Sequence, residues 1–194
     1  MTVPFVMVGG VPGAGKSTLL AQLAASGVPA RIVDPDPIRR WFARRAPGLA
    51  YVRYRWLVHL LAAGWALGLL LAGPSRGPLL VHDPATRPRR RVAVGRLARA
   101  LGWTPRLVFI DVSRADAVRG QAARGRMVAS FDRHWARWEQ QRPVLRVAAA
   151  LTGRHGPWHL LITDREGAAT LPAATWTGEA PAPRVSAEEV PAGT

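Results

Sequence analysis

The sequence predicts an α/β fold built on a parallel sheet. Three observations carry that expectation. Short apolar runs alternate with segments of helical period, as strands and crossover helices do in a parallel sheet. A glycine-rich turn joins the first apolar run to the first helical segment. Several apolar runs end in an aspartate, at the sheet edge where such folds bind ligands.

Residues 3–8 form a short apolar run suited to a buried parallel strand. The turn reads Gly10-Val11-Pro12-Gly13-Ala14-Gly15-Lys16-Ser17 and satisfies G-x-x-x-x-G-K-[ST] at every required position. Residues 17–26 read as a helix that Gly27 is placed to end. A second strand is expected over 30–34, and Pro37 opens a helix over 37–45. The apolar segment 57–71 reads as a helix, followed by a Gly/Pro loop over 73–78. A third strand covers 79–82 and ends at Asp83. A helix over 86–101 carries Val94, Leu97, Ala98 and Leu101 on one face, with Gly102 as its stop. A fourth strand ends at Asp111, and Ser113-Arg114-Ala115-Asp116 is a capping box for the next helix. Residues 130–150 read as helical, interrupted near Pro143, and 158–163 as a fifth strand. From Leu171 the chain turns to Pro, Ala, Thr and Glu and loses periodicity. The expected organisation is one domain over 1–170 and a disordered tail over 171–194.

The chain has 27 basic residues, and its single lysine is Lys16. Lysine is retained where a compact ammonium must reach between two phosphates, a task for which the planar guanidinium is ill shaped. The motif defines a P-loop. Gly10, Gly13 and Gly15 permit the tight turn, and the helix that follows adds its positive dipole end. Lys16 is expected along the β- and γ-phosphates, with Ser17 on Mg²⁺ and Thr18 as a neighbouring hydroxyl. The ligand is a nucleoside triphosphate with magnesium, and the loop alone does not separate ATP from GTP.

Composition sets further bounds. A hydrophobic share of 48% supports a globular domain with a real core. The net charge of +15 suits an anionic partner such as nucleic acid, but the arginines are spread along the whole chain and single out no surface for one. The absence of cysteine excludes disulfides and thiol chemistry. The N-terminus enters a strand with no signal-peptide pattern, so a cytoplasmic location is expected. Residues 57–73 fall slightly short of the roughly 20 residues of a membrane span. A helix buried against the sheet is the favoured reading, with no membrane partner, because a span here would separate the strands on either side.

Asp83 closes its strand in the Walker-B manner, where an aspartate holds the Mg²⁺ shell. Asp34 and Asp36 follow the second strand, as turn and helix caps beside Pro35 and Pro37 or as functional carboxylates. Asp36 and Arg39 would share a face, the first accepting a proton from an acceptor hydroxyl and the second anchoring an anionic group. Asp111 is read as structural. Arg119, Arg124 and Arg126 are candidates to cover the γ-phosphate as it leaves, with Gly120 and Gly125 giving that segment freedom. His134, Trp135 and Trp138 are read as core packing rather than base stacking.

The motifs GGVPGAGKST at 9–18, VDPDPIR at 33–39, LLVHDPATR at 79–87 and VRGQAARGR at 118–126 together resemble P-loop kinases of the zeta-toxin and polynucleotide-kinase-like group. The resemblance covers roughly residues 3–166. It implies a P-loop NTPase fold, a three-layer sandwich with a five-stranded parallel sheet in order 2-3-1-4-5 and a small arginine-bearing lid. It implies ATP and Mg²⁺ as cofactors. The group's acceptor-activating base falls on Asp36 with Arg39, and its lid arginines on Arg119, Arg124 and Arg126. Its members phosphorylate polynucleotide ends, nucleotide sugars, antibiotics and other hydroxyl compounds, so reaction type transfers better than substrate. The expected function is transfer of the γ-phosphate of ATP to a hydroxyl. Two other classes remain: an NTPase or switch without an acceptor, and a nucleic-acid-binding protein with a regulatory nucleotide site.

Overall fold

In the computed structural model, residues 3–123, 125 and 130–178 are described. The strands are β1 (Pro4–Gly9), β2 (Arg31–Val33), β3 (Leu79–His82), β4 (Thr104–Ile110), β5 (Arg154–His155) and β6 (Trp158–Thr163). The helices are α1 (Lys16–Ala25), α2 (Pro35–Arg45), α3 (Tyr51–Leu71), α4 (Pro88–Ala100), α5 (Arg114–Ala122), α6 (Phe131–Thr152), α7 (Arg165–Ala169) and α8 (Ala173–Thr177).

Every residue of β1 is buried, as its continuous apolar run requires of a central strand. It pairs in parallel with β3 on one side and β4 on the other. The sheet order is β2-β3-β1-β4-β6-β5, with helices covering both faces in the P-loop NTPase arrangement. The five parallel strands therefore follow the expected order. The sixth, β5, was not expected. It is two residues long and pairs antiparallel with β6 across a tight turn at Gly156 and Pro157, too short to leave a period in the sequence.

Three further differences arise from the tertiary setting of the elements. α6 runs unbroken through Pro143. Buried Trp135, Trp138 and Leu145 anchor it on both sides of the proline. Arg142 and Arg146 also bond one carboxylate, Asp111, so the hydrogen bond that proline removes is compensated by tertiary contacts. The expected disordered tail begins with structure instead: α8 buries Trp176, and Arg106 Nη1 donates to the carbonyls of Ala174 and Thr175 at 2.6 and 2.8 Å. Residues 179–194 lie outside the described residues. Finally, α3 packs against the sheet by one face only. It buries Tyr54, Val58, Ala62 and Leu70 and leaves most of its remaining surface exposed. Its C-terminal end is pinned by Trp103, whose Nε1 donates to Leu70 O at 3.0 Å.

Candidate phosphate and acceptor site

The P-loop is held from below by two of its own side chains. Val11 and Ala14 are fully buried, and the Ala14 N–H donates to Val11 O at 3.1 Å. Gly13 and Gly15 take φ of +88° and +104°, which side-chain-bearing residues rarely adopt. Gly15 also stands at the N-cap of α1, and no side chain caps that helix. The first turn of α1 thus presents its positive dipole end to the loop, where an anion binds.

Lys16 is 4% exposed. Its ammonium donates to Gly10 O at 2.6 Å and Val11 O at 3.0 Å, so it folds back over its own loop. The next residue, Ser17, faces the end of β2. Its Oγ lies 3.3 Å from Asp34 Oδ1 and 3.3 Å from His82 Nδ1, and these two are 2.8 Å apart. A carboxylate only accepts, so the His82 nitrogen carries the hydrogen. Burial alone would raise the Asp34 carboxyl, but His82, the Asp36 N–H and the Ser17 hydroxyl outweigh it and hold the group below the usual carboxylate range. Burial lowers His82, and Lys16 lowers it further, against the pull of Asp34. The pair at neutral pH is thus an ionised aspartate and a neutral ring.

Asp83 was expected beside Ser17, and the carboxylate found there is Asp34. The oxygens of Asp83 are engaged elsewhere. Oδ1 accepts from the Ala85 N–H at 2.7 Å, and Oδ2 pairs with Arg90 Nη2 at 3.0 Å. It shapes the turn after β3, where Ala85 takes φ +56° against Gly9. The expectation for Asp83 rests on its place at the end of an apolar strand, a position that Asp34 shares.

Asp34 also caps α2 through the Asp36 N–H at 3.0 Å. Asp36 then sits on the first turn and accepts from Arg39 Nε at 2.9 Å, with Arg40 Nε 3.9 Å away. Asp34, Asp36, Arg39 and Arg40 line one wall of an open cleft of about 820 Å³. Ser17 and Thr18 stand at its phosphate end, and Leu20, Ala24, Ile32 and Trp65 give it an apolar side.

Of the expected lid, Arg119 is exposed and paired with Asp116 on its own helix. Arg124 and Arg126 lie outside the described residues. Gly120 has a role other than the freedom expected of it. A Cβ there would stand 2.3 Å from Gly13 O, so the glycine lets α5 touch the P-loop. The arginine found at the loop is one that sequence reasoning missed. Arg165 donates from Nη2 to Gly13 O at 2.7 Å and Asp116 O at 3.0 Å, and from Nε to Ala14 O at 3.2 Å. Its position just past the fifth parallel strand, on the edge where the site was expected, was the available signal.

His134 stands 2.8 Å from Thr86 Oγ1 by its Nδ1. Burial, then the charge of Lys16 and nearby arginines, pushes it down to about 4. Trp135 and Trp138 are buried, as expected of core packing. Asp111 is 6% exposed and accepts from Trp138 Nε1, Arg142 and Arg146, which fits its structural reading.

A P-loop closing a central parallel strand, a lysine over it and a hydroxyl–aspartate pair beside it define a nucleotide-binding P-loop protein with a kinase-like fold. The profile of the family described as AAA domain matches residues 5–148, and the chain belongs to that family. No curated protein matches it significantly. Among solved structures, a chain of the PezAT chromosomal toxin–antitoxin system of Streptococcus pneumoniae superposes with a TM-score of 0.60 at 13% identity, over 85% of this chain and 68% of that one. A protein from Chloroflexus aurantiacus named as a kinase gives 0.53 at 17% identity, over 89% and 94%. Both likenesses are of fold.

Proposed function

We propose that the protein transfers the γ-phosphate of ATP to a hydroxyl of a small-molecule or polynucleotide acceptor. The observation that carries this reading is the cleft that runs from Ser17 to Asp36 and Arg39. A switch or plain NTPase needs no such second compartment beside its phosphate loop. Lys16 exchanges two loop carbonyls for phosphate oxygens, and the backbone N–H groups of the loop and the start of α1 take the rest of the charge. Asp36 receives the proton of the acceptor hydroxyl, and Arg39, its partner in this structure, turns to an anionic group of the acceptor. Arg119, Arg124 and Arg126 are the proposed cover for the transferred group, with Arg165 holding the loop beneath.

Among the described residues no group of three or more His, Asp or Glu could hold a metal on protein ligands alone. One ionised carboxylate beside a serine hydroxyl does fit Mg²⁺ that arrives with phosphates. Ser17 would hold it, and Asp34 takes the place first given to Asp83. The ion supplies charge neutralisation across the phosphates. A cytoplasmic location belongs to the same proposal, as ATP and Mg²⁺ are at hand there.

Calorimetric titration of ATP and Mg²⁺ tests the division of labour. Lys16→Ala should abolish binding, and Asp36→Asn should keep it. Equal loss of nucleotide affinity in both variants would remove the acceptor role from Asp36.

A further inference from the structure

We propose that the exposed face of α3 docks the protein in the plane of an anionic lipid surface. Val52, Trp56, Leu60, Gly64, Leu67 and Leu71 recur at intervals of three and four and form one stripe along the helix. Its large members are well exposed: Val52 75%, Trp56 65%, Leu60 59%, Leu67 47% and Leu71 56%. From Leu60 to Leu71 the helix carries no charged residue. A continuous apolar strip of this length on a folded protein marks an interaction surface.

The charge around it selects the occupant. Between Asp36 and Asp83 the chain has arginines at 39, 40, 44, 45, 53, 55 and 76 and no acidic residue. Arg40, Arg44, Arg45 and Arg53 are exposed, and Trp41 on α2 is 45% exposed with Arg45 4.8 Å from its ring centroid. Tryptophan, leucine and arginine together are what an interfacial helix presents: the apolar stripe enters the acyl boundary and the guanidinium groups meet lipid phosphates. A second copy of the chain would set these arginines against their own kind. Nucleic acid would satisfy the arginines and leave the leucines in water.

The docking is in-plane. α3 is long and apolar enough to cross a membrane by length and composition. But β2, which precedes α2 and α3, pairs with β3, which follows them, from Arg31↔Leu79 to Val33↔Val81. A crossing would pull those strands apart.

The test is co-sedimentation of the full chain with vesicles of phosphatidylcholine alone and of phosphatidylcholine mixed with phosphatidylglycerol. Two double variants run beside it, Leu60→Gln with Leu67→Gln, and Arg44→Gln with Arg45→Gln. Circular dichroism and ATP binding establish that both are folded. Capture by the mixed vesicles, absence from the neutral ones, and a loss of at least roughly fivefold in each variant are expected. The indole emission should also shift to the blue on vesicle addition. Equal capture of the leucine variant would overturn the proposal, since charge alone would then suffice. A stable dimer in sedimentation equilibrium that the leucine variant dissociates, without vesicle binding, would overturn it in favour of a second copy. Oligonucleotide binding with no vesicle capture would overturn it in favour of nucleic acid.

Discussion

The Ser17 hydroxyl lies 3.3 Å from Asp34 Oδ1, which brings the phosphate loop and the end of β2 to a common point. The same carboxylate caps α2, so the element carrying Asp36 and Arg39 is oriented by the group beside the phosphates. Asp34→Asn separates these two duties, because asparagine caps a helix as well as aspartate but carries no charge. The apo protein should melt at nearly the same temperature. The enhancement of ATP binding by Mg²⁺ should fall by roughly tenfold or more. Unchanged magnesium dependence would leave Asp34 as a cap alone.

Two glycines in helices should respond oppositely to alanine. At Gly120 a Cβ would stand 2.3 Å from Gly13 O, and backbone on both sides cannot yield cheaply. Gly120→Ala should cost about 1–3 kcal/mol and weaken nucleotide binding as α5 lifts from the loop. At Gly64 a Cβ meets nothing within 4 Å. Gly64→Ala should stabilise by up to about 1 kcal/mol. Urea denaturation of both variants checks the pair.

Asp111 ties β4 to α6 through Trp138, Arg142 and Arg146. Its own side chain is 3% exposed, whereas Arg142 and Arg146 are 30% and 57% exposed. Water can therefore recover the arginines when the carboxylate is removed. Asp111→Ala should cost about 2 kcal/mol, below the range for a fully buried pair. Asp111→Asn should cost less, because it still accepts from the Trp138 indole. Chemical denaturation with tryptophan emission reads both.

The acid limb of stability carries a histidine signature. His134 is held down to about 4 in the fold, first by burial, against an ordinary value near 6.5 once unfolded. Between those values the unfolded chain binds the extra proton, so stability falls as pH drops from about 6.5 toward 4 and is whole above that window. His59, His82, His155 and His159 are lowered as well and act in the same direction. His134→Gln keeps a partner for Thr86 and should flatten this limb by a few degrees of melting temperature. A melting profile from pH 4 to 8 that is superimposable on wild type would refute the assignment.

Much of this architecture was legible in the residues, for reasons the structure makes plain. β1, β3 and β4 are apolar runs buried between neighbours, and the P-loop is a backbone requirement written in glycines. What could not be read depended on distant partners. Pro143 continues its helix because Asp111, about thirty residues away in sequence, bonds Arg142 and Arg146. Trp176 turns the start of an apparent tail into α8 because a pocket in the fold receives it. The choice between Asp34 and Asp83 beside Ser17 rests on Arg90 and Ala85 occupying the second carboxylate. The apolar composition of α3 reads as burial in sequence, and the structure buries one face and leaves the opposite one exposed.

The central claim is that Asp36 serves an acceptor hydroxyl across the cleft from the P-loop. Its most direct test offers γ-labelled ATP and Mg²⁺ with pooled oligonucleotides bearing free 5′-hydroxyls, nucleotide sugars and small alcohols including antibiotics, to wild type and Asp36→Asn in parallel. The account predicts label on one pool with wild type and a loss of roughly 10²–10⁴-fold in the variant, at unchanged ATP affinity. Label released only as phosphate, equally by both proteins, would contradict it.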